Sequence, residues 1–137
     1  MIEALLGRRC ASIRQFRHEH TGERAGDSGP IEFAWDDGTW LTLDSGADWT
    51  LDVSSRPWVD PYAHASESEL DELVREVGIW REVPVRGPLC QLVGQAVTSV
   101  EAELNEVGEL TGLGLGFEAQ AIAARVLRGE LVVEVLE

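Results

Sequence analysis

The sequence predicts an α+β fold that is mainly β: two pseudo-repeated antiparallel β units packed as a sandwich or partly open barrel, with one connecting α-helix near 67–77. Three observations lead there. Apolar and polar residues alternate with a period of two through most of the chain, as half-buried strands require. Two stretches, 5–53 and 92–136, carry the same apolar pattern on either side of a segment with helical spacing. The 137 residues, 44% of them hydrophobic, fit a single domain of ordinary globular composition, 1–137.

The repeat is read by sliding the chain against itself. Leu5-Leu6-Gly7 and Ser12-Ile13 recur as Leu92-Val93-Gly94 and Ser99-Val100, 87 residues later. From Ile31 to Val53 the offset is 82 without a gap, pairing Ile31, Phe33, Trp35, Trp40, Trp49, Leu51 and Val53 with Leu113, Leu115, Phe117, Ile122, Leu131, Val133 and Val135. The change, 87 − 82 = 5, gives the first unit the longer loop between its first two strands.

In the first unit, strands are expected near 9–17, 31–35, 39–44 and 48–53. Asp36-Asp37-Gly38 is a hairpin signal, because Asp-Gly supplies the positive φ angles of a two-residue primed turn. Ser45-Gly46-Ala47 is expected to make the next reversal. In the second unit the strands fall near 95–104, 112–118, 121–127 and 130–136, with Arg128-Gly129 as the final turn. Gln120 stands where the first unit has Gly38, so that hairpin needs different turn chemistry or a bulge.

Residues 54–91 join the units. Ser66-Glu67-Ser68-Glu69 has the form of a capping box, in which side-chain oxygens accept the orphan amides of a helix start. Leu70, Leu73, Val74 and Val77 follow at i, i+3, i+4 and i+7, an apolar face that stops at Gly78. Before the helix, Arg56-Pro57-Trp58-Val59-Asp60-Pro61-Tyr62 reads as an extended crossing, since proline disfavours helix in the residue before it. After it, Ile79 to Val85 fits a short edge strand.

Charge narrows the function. With 25 acidic residues against 11 basic ones, all arginine, the net charge is −14. This repels phosphate backbones, and no basic stripe offsets it, so nucleic acid is not an expected partner. No membrane association is expected either, since no run of apolar residues reaches a spanning length and the N-terminus lacks a signal-peptide core. The chain reads as soluble and cytoplasmic. Residues 1–57 hold 10 acids and 6 arginines, whereas 58–137 hold 15 and 5, so the acidic excess belongs mostly to the helix and second unit.

Several constellations are weighed for chemistry. His18-Glu19-His20 is the best metal candidate, because residues two apart on a strand share a face, and His64 or Glu23 would complete the set. The competing reading is a solvated pair in the long loop. Asp36, Asp37, Asp44, Asp48, Asp52 and Asp60 cluster around the first unit's turns, but Asp44-Ser45-Gly46-Ala47-Asp48 lacks the oxygen spacing of a calcium loop. Cys10 and Cys90 match no metal or redox spacing and are expected to be buried free thiols. Gly112-Leu113-Gly114-Leu115-Gly116 is not a phosphate loop, and its glycines point to close packing or a bent strand. No nucleophile elbow occurs, so catalysis is not favoured and no cofactor is expected.

Four tryptophans, Trp35, Trp40, Trp49 and Trp58, lie within 24 residues, and Trp80 follows. Core packing accounts for most of them. Trp40 and Leu41 are adjacent on a strand and face opposite sides, so one must be more exposed. Trp40 and Trp58, framed by Asp36, Asp37 and Asp60, are therefore the candidate binding residues, tryptophan being over-represented in binding hot spots.

The segments Leu5-Leu6-Gly7-Arg8-Arg9-Cys10 and Phe33-Ala34-Trp35-Asp36-Asp37-Gly38-Thr39-Trp40-Leu41-Thr42-Leu43 resemble small uncharacterised bacterial β-rich domains. The resemblance covers about a third of the chain and implies a fold type without an activity.

The leading expectation is a non-catalytic binding or accessory domain whose acidic, tryptophan-bearing surface meets a basic protein, one version being an immunity-type inhibitor of a basic toxin or nuclease. The alternative is a small-molecule- or metal-binding β protein using a site near His18 and His20. A third is self-assembly, with strand edges pairing as a homodimer.

Overall fold

A computed structural model describes residues 2–19 and 29–136. Among the described residues, nine strands form two antiparallel sheets that are not closed into a barrel. The first sheet contains β1 (Cys10–Glu19), β2 (Ile31–Trp35), β3 (Trp40–Ser45), β4 (Leu51–Ser54) and β5 (Ile79–Val83), in the order β4-β3-β2-β1-β5. The second is a meander of β6 (Val97–Leu104), β7 (Leu110–Phe117), β8 (Ala121–Leu127) and β9 (Glu130–Leu136). One helix, α1 (Glu67–Glu76), lies between β4 and β5 in sequence. The described residues thus form a mainly β fold with a single α-helix.

The alternating pattern does the work expected of it. Ile31, Phe33 and Trp35 of β2 and Leu113, Leu115 and Phe117 of β7 all point inward and form one apolar cluster between the sheets. Phe33 and Trp35 stack at 5.6 Å, and Phe117 of the other sheet lies 6.5 Å from each. Trp35 Nε1 is buried there without a hydrogen-bond partner.

The sheets are stitched together where β1 and β6 begin. Gly7 N–H donates to Val97 O and Gly94 N–H to Cys10 O, both at 2.8 Å, while Cys10 N–H donates to Gln95 O and Val97 N–H to Arg8 O, both at 2.9 Å. These bonds fall into two pairs related by the 87-residue offset, and the bridge at their centre joins Arg9 to Ala96, which that offset also relates. Each of the two glycines has positive φ, a conformation that suits a residue without Cβ. Leu5 and Leu92, in the short turns preceding the stitch, are both buried. The same bulge interrupts both strands, between Cys10 and Ser12 and between Val97 and Ser99.

Register carries the correspondence further, but not at a constant offset. Ile13 pairs Phe33 and Val100 pairs Leu115, so 82 holds for β2 and β7. Phe33 then pairs Leu41 whereas Leu115 pairs Ile122, which lowers the offset to 122 − 41 = 81. Ser45 pairs Leu51 whereas Val126 pairs Leu131, which lowers it to 131 − 51 = 80. The gap-free expectation is therefore corrected: each later reversal of the second sheet is one residue shorter. The equivalent of Ile122 is Leu41, not Trp40, and that of Leu131 is Leu51, not Trp49.

Two turns also differ from expectation. At Asp36-Asp37-Gly38 only Gly38 has positive φ, so the reversal is an ordinary turn, with Gly38 N–H donating to Trp35 O at 3.1 Å, closed by one left-handed glycine. The primed turn lies instead at Asp48-Trp49, where φ is 54° and 61° and Thr50 N–H donates to Ala47 O at 3.1 Å. This moves the expected strand start at 48 to Leu51. The equivalent turn, Arg128-Gly129, has φ of 53° and 79°.

At the helix start Ser66 Oγ accepts from Glu69 N–H at 3.2 Å, while the Glu69 carboxylate takes the Ser66 hydroxyl rather than its amide, and the helix ends where left-handed Gly78 donates to Leu73 O. Leu70, Leu73 and Val74 are half-buried, but Val77 at the C-cap is exposed. Among the described residues no helix is long and apolar enough to cross a membrane.

Candidate functional site

The two sheets present very different outer faces. On the first, alternation turns Arg14 and Phe16 of β1, Glu32 of β2 and Thr42 of β3 away from the core. The connector 55–66 lies across them and is held by its backbone. Trp58 N–H donates to Glu32 Oε2 at 2.7 Å, Arg14 Nη2 donates to Trp58 O at 3.4 Å, and Thr42 Oγ1 donates to Arg56 O at 2.7 Å. Trp58 stacks on Phe16 with ring centroids 3.9 Å apart.

Glu32 is the anchor of this arrangement. It is only 3% exposed, and it accepts two bonds from Arg14, Nε to Oε1 at 2.9 Å and Nη2 to Oε2 at 2.7 Å, besides that from Trp58. A buried carboxylate needs such a set, because its charge must be paired and its lone pairs satisfied. The same hydrogen bonding holds the Arg14 guanidinium above its usual range.

Between this surface, the connector, α1 and β5 opens a cleft of about 300 Å³. Its aromatic walls are Phe16, Trp58, Tyr62 and Trp80, and Leu70 of the helix closes one side. The Tyr62 hydroxyl accepts from Trp80 N–H at 3.2 Å and so ties the connector to the edge of β5. Asp60 Oδ1 accepts from Tyr62 N–H at 2.8 Å, which fixes that carboxylate at the rim. Arg14 and Arg81 also line the cleft, but Arg14 pairs with Glu32 and Glu82, and Arg81 pairs with Glu19. Two arginines and two carboxylates, Asp60 and Glu82, therefore line the cleft, and Glu19 and Glu32 pair with the arginines from outside it.

The candidate residues separate into groups. Trp58 and Asp60 join the cleft. Asp36, Asp37 and Trp40 instead belong to the β2–β3 hairpin, which pairs with the start of β1 at Cys10, whereas Phe16 beneath Trp58 is six residues further along that strand. At roughly 3.3 Å per residue this separates the groups by about 20 Å. Leu41 is buried and Trp40 is 37% exposed, lining a small hollow with Ile2, Leu5 and Arg8. Asp37 pairs with Arg8 and accepts from the Thr39 hydroxyl, and this hydrogen bonding, chiefly from Thr39, lowers its pKa.

Of the proposed metal ligands, His18 is half-buried against Trp80, ring centroids 5.2 Å apart, and a Cβ at Gly78 would overlap its imidazole. His64 is exposed on the connector. His20 and Glu23 lie outside the described residues. Among the described residues, no group of three His, Cys, Asp or Glu side chains is placed to hold an ion. Cys10 is buried, and burial pushes its thiol up to about 11. Cys90, expected to be buried, is exposed, with Sγ 2.9 Å from Val85 O.

Sequence reasoning missed three residues. Trp80 was noted only for its type, yet it forms a cleft wall. Glu32 alternates with core residues like any strand acid, and only the overlying connector distinguishes it. Trp49 was aligned with buried Leu131 but is 60% exposed at a turn, between Asp48 and Thr50. Its left-handed backbone is unusual for so bulky a residue, and only the observed register shows that Gly129 occupies the equivalent position.

Comparison of the chain with known protein families, with curated proteins and with solved structures finds no match.

Proposed function

We propose that the protein is a non-catalytic binding domain that takes a basic side chain of a protein partner into the aromatic cleft over β1 and β5. The observation that carries this reading is the combination of Trp58, Tyr62 and Trp80 walls with the rim carboxylate of Asp60. Aromatic faces attract a guanidinium or ammonium through their quadrupole, and a fixed carboxylate adds charge and direction. The lining arginines are already paired with Glu19, Glu32 and Glu82, which leaves Asp60 outside those pairs to meet an incoming cation. A net charge of −14 then speeds encounter with a basic protein and disfavours acidic competitors. An immunity-type inhibitor capping a basic enzyme is one concrete form of this role.

The test is a titration of the full chain with a short arginine-rich peptide, followed by tryptophan fluorescence, beside the same peptide with citrulline replacing arginine. Binding confined to the arginine peptide, weakened by salt and by Asp60→Asn, is the expected result. Equal binding of both peptides, or of neither, defeats the reading.

A further inference from the structure

The sheets end in four edges, and natural β proteins guard such edges because unpaired backbone groups recruit other strands. Three are guarded here. β4 has only four residues. On β5, Trp80 N–H is taken by the Tyr62 hydroxyl, and Pro84 ends the strand. β6 is bent by two register shifts and is stitched to the first sheet at its start.

The fourth edge, β9, has none of these devices. It runs seven residues, Glu130 to Leu136, pairs with β8 without a register shift, and contains neither proline nor a basic residue. The two-residue turn Arg128-Gly129 makes Leu127 and Glu130 the first hydrogen-bonded pair, so the even-numbered residues of β9 bond to β8. The amides and carbonyls of Leu131, Val133 and Val135 therefore point away from the sheet. Among the described residues, no turn, loop or side chain bonds to them.

We propose that β9 is an association edge through which two copies of the chain pair antiparallel about Val133, joining their four-stranded sheets into one. The sequence of the strand is self-complementary in this register. Leu131 faces Val135 of the second copy, Val132 faces Glu134, and Glu130 faces Leu136, so no glutamate meets another. Inward residues stay with inward residues and outward with outward, because the symmetric pairing preserves the two-residue alternation. Val133 pairs with its own copy on the two-fold axis, as an isologous contact requires. The side chains supply the choice of partner, and the outward backbone groups of three residues supply the hydrogen bonds. The charge of −14 on each copy opposes association, so added salt strengthens it.

The test is the mass of the full chain in solution over a concentration series, at low and moderate salt. A reversible monomer–dimer equilibrium that tightens with salt is expected. Leu136 is 47% exposed and faces uncharged Ala121 within its own sheet, so charges placed there leave the monomer folded. Leu136→Glu sets glutamate opposite Glu130 and should weaken the dimer about tenfold, while Leu136→Lys sets opposite charges together and tightens it. Val133→Pro removes an outward amide that β8 does not use and should yield a monomer with an unchanged circular dichroism spectrum. A chain that stays monomeric at high micromolar concentration in moderate salt overturns the proposal. So does a dimer whose affinity is the same in both Leu136 variants.

Discussion

The outer faces of the two sheets began from matching strand registers and ended as opposites. Where the first has Arg14, Glu32 and Thr42, the corresponding positions of the second hold Glu101, Gly114 and Ala123. The first three side chains grip a backbone and cover their sheet with it. The second set offers no such grip, and that face is open, a shallow hollow of about 170 Å³ over Gly114, Gly116 and Ala123. Its strongest polar contact, Arg125 to Glu103 at 2.7 Å, lies along the sheet surface and binds nothing above it. One register thus supports a covered face or a bare one, depending on a few outward side chains.

The largest effect is expected from removing the anchor. Glu32→Ala leaves Arg14 without its main partner and the Trp58 amide without an acceptor, and should cost about 2–4 kcal/mol in chemical denaturation. The connector should then become the first site of limited proteolysis, because the two backbone bonds at Trp58, one to Glu32 and one from Arg14, depend on Glu32. Cleavage elsewhere, with 55–66 still protected, would show that the Phe16–Trp58 stack and the bonds of Thr42 to Arg56 and of Trp80 to Tyr62 hold the cover without Glu32.

A smaller gain is expected at the tip of the β3–β4 hairpin. Trp49→Gly places at this left-handed position the residue that Gly129 already supplies in the other sheet, and should raise stability by about 1 kcal/mol. A loss measured by thermal melting would mean that what the Trp49 ring still buries outweighs the backbone strain.

Charge at the next pair of positions separates the faces again. Asp44 pairs across the ladder with Asp52, whereas the corresponding residues are Arg125 and Val132. Burial, aided by the nearby Asp52, raises the Asp44 pKa. A carboxyl with a raised folded pKa holds its proton more tightly folded than unfolded, so it destabilises the protein above that pKa. The penalty fades as pH falls through the window between the raised value and the ordinary aspartate value. Asp44→Asn should therefore raise the melting temperature at neutral pH, and the gain should vanish in acid. A gain independent of pH would locate the effect in packing instead.

The smallest effect is expected on the bare face. A Cβ at Gly114 would meet Glu101 Cβ at 3.6 Å, an ordinary contact, so Gly114→Ala should change stability by no more than about 0.5 kcal/mol. That the equivalent of Glu32 tolerates substitution would confirm that nothing within the chain rests on it.

Much of the fold was legible because its signals are local. The two-residue period placed Ile31, Phe33, Leu113 and Leu115 on inward faces, and Ser66 with Glu69 set the helix start. The route of the connector was not legible. Pro57 and Pro61 announce an extended segment but not the surface it crosses, so the cleft and the role of Glu32 stayed hidden. The tryptophans mislead for a related reason: each of the two turns drops a residue, so a constant offset is wrong by one at Trp40, which at period two reverses the face, and by two at Trp49. The error of two sets Trp49, a turn residue, against the core residue Leu131.

The sequence by itself determined the strand pattern, the helix cap, the acidity and the matching halves, since each follows from neighbouring residues or from composition. Only the tertiary structure decided which tryptophans are walls, which acid is buried, and which sheet face and edge stay open. Those outcomes depend on contacts between residues far apart in the chain, where burial and hydrogen-bond satisfaction, rather than local backbone geometry, set the result.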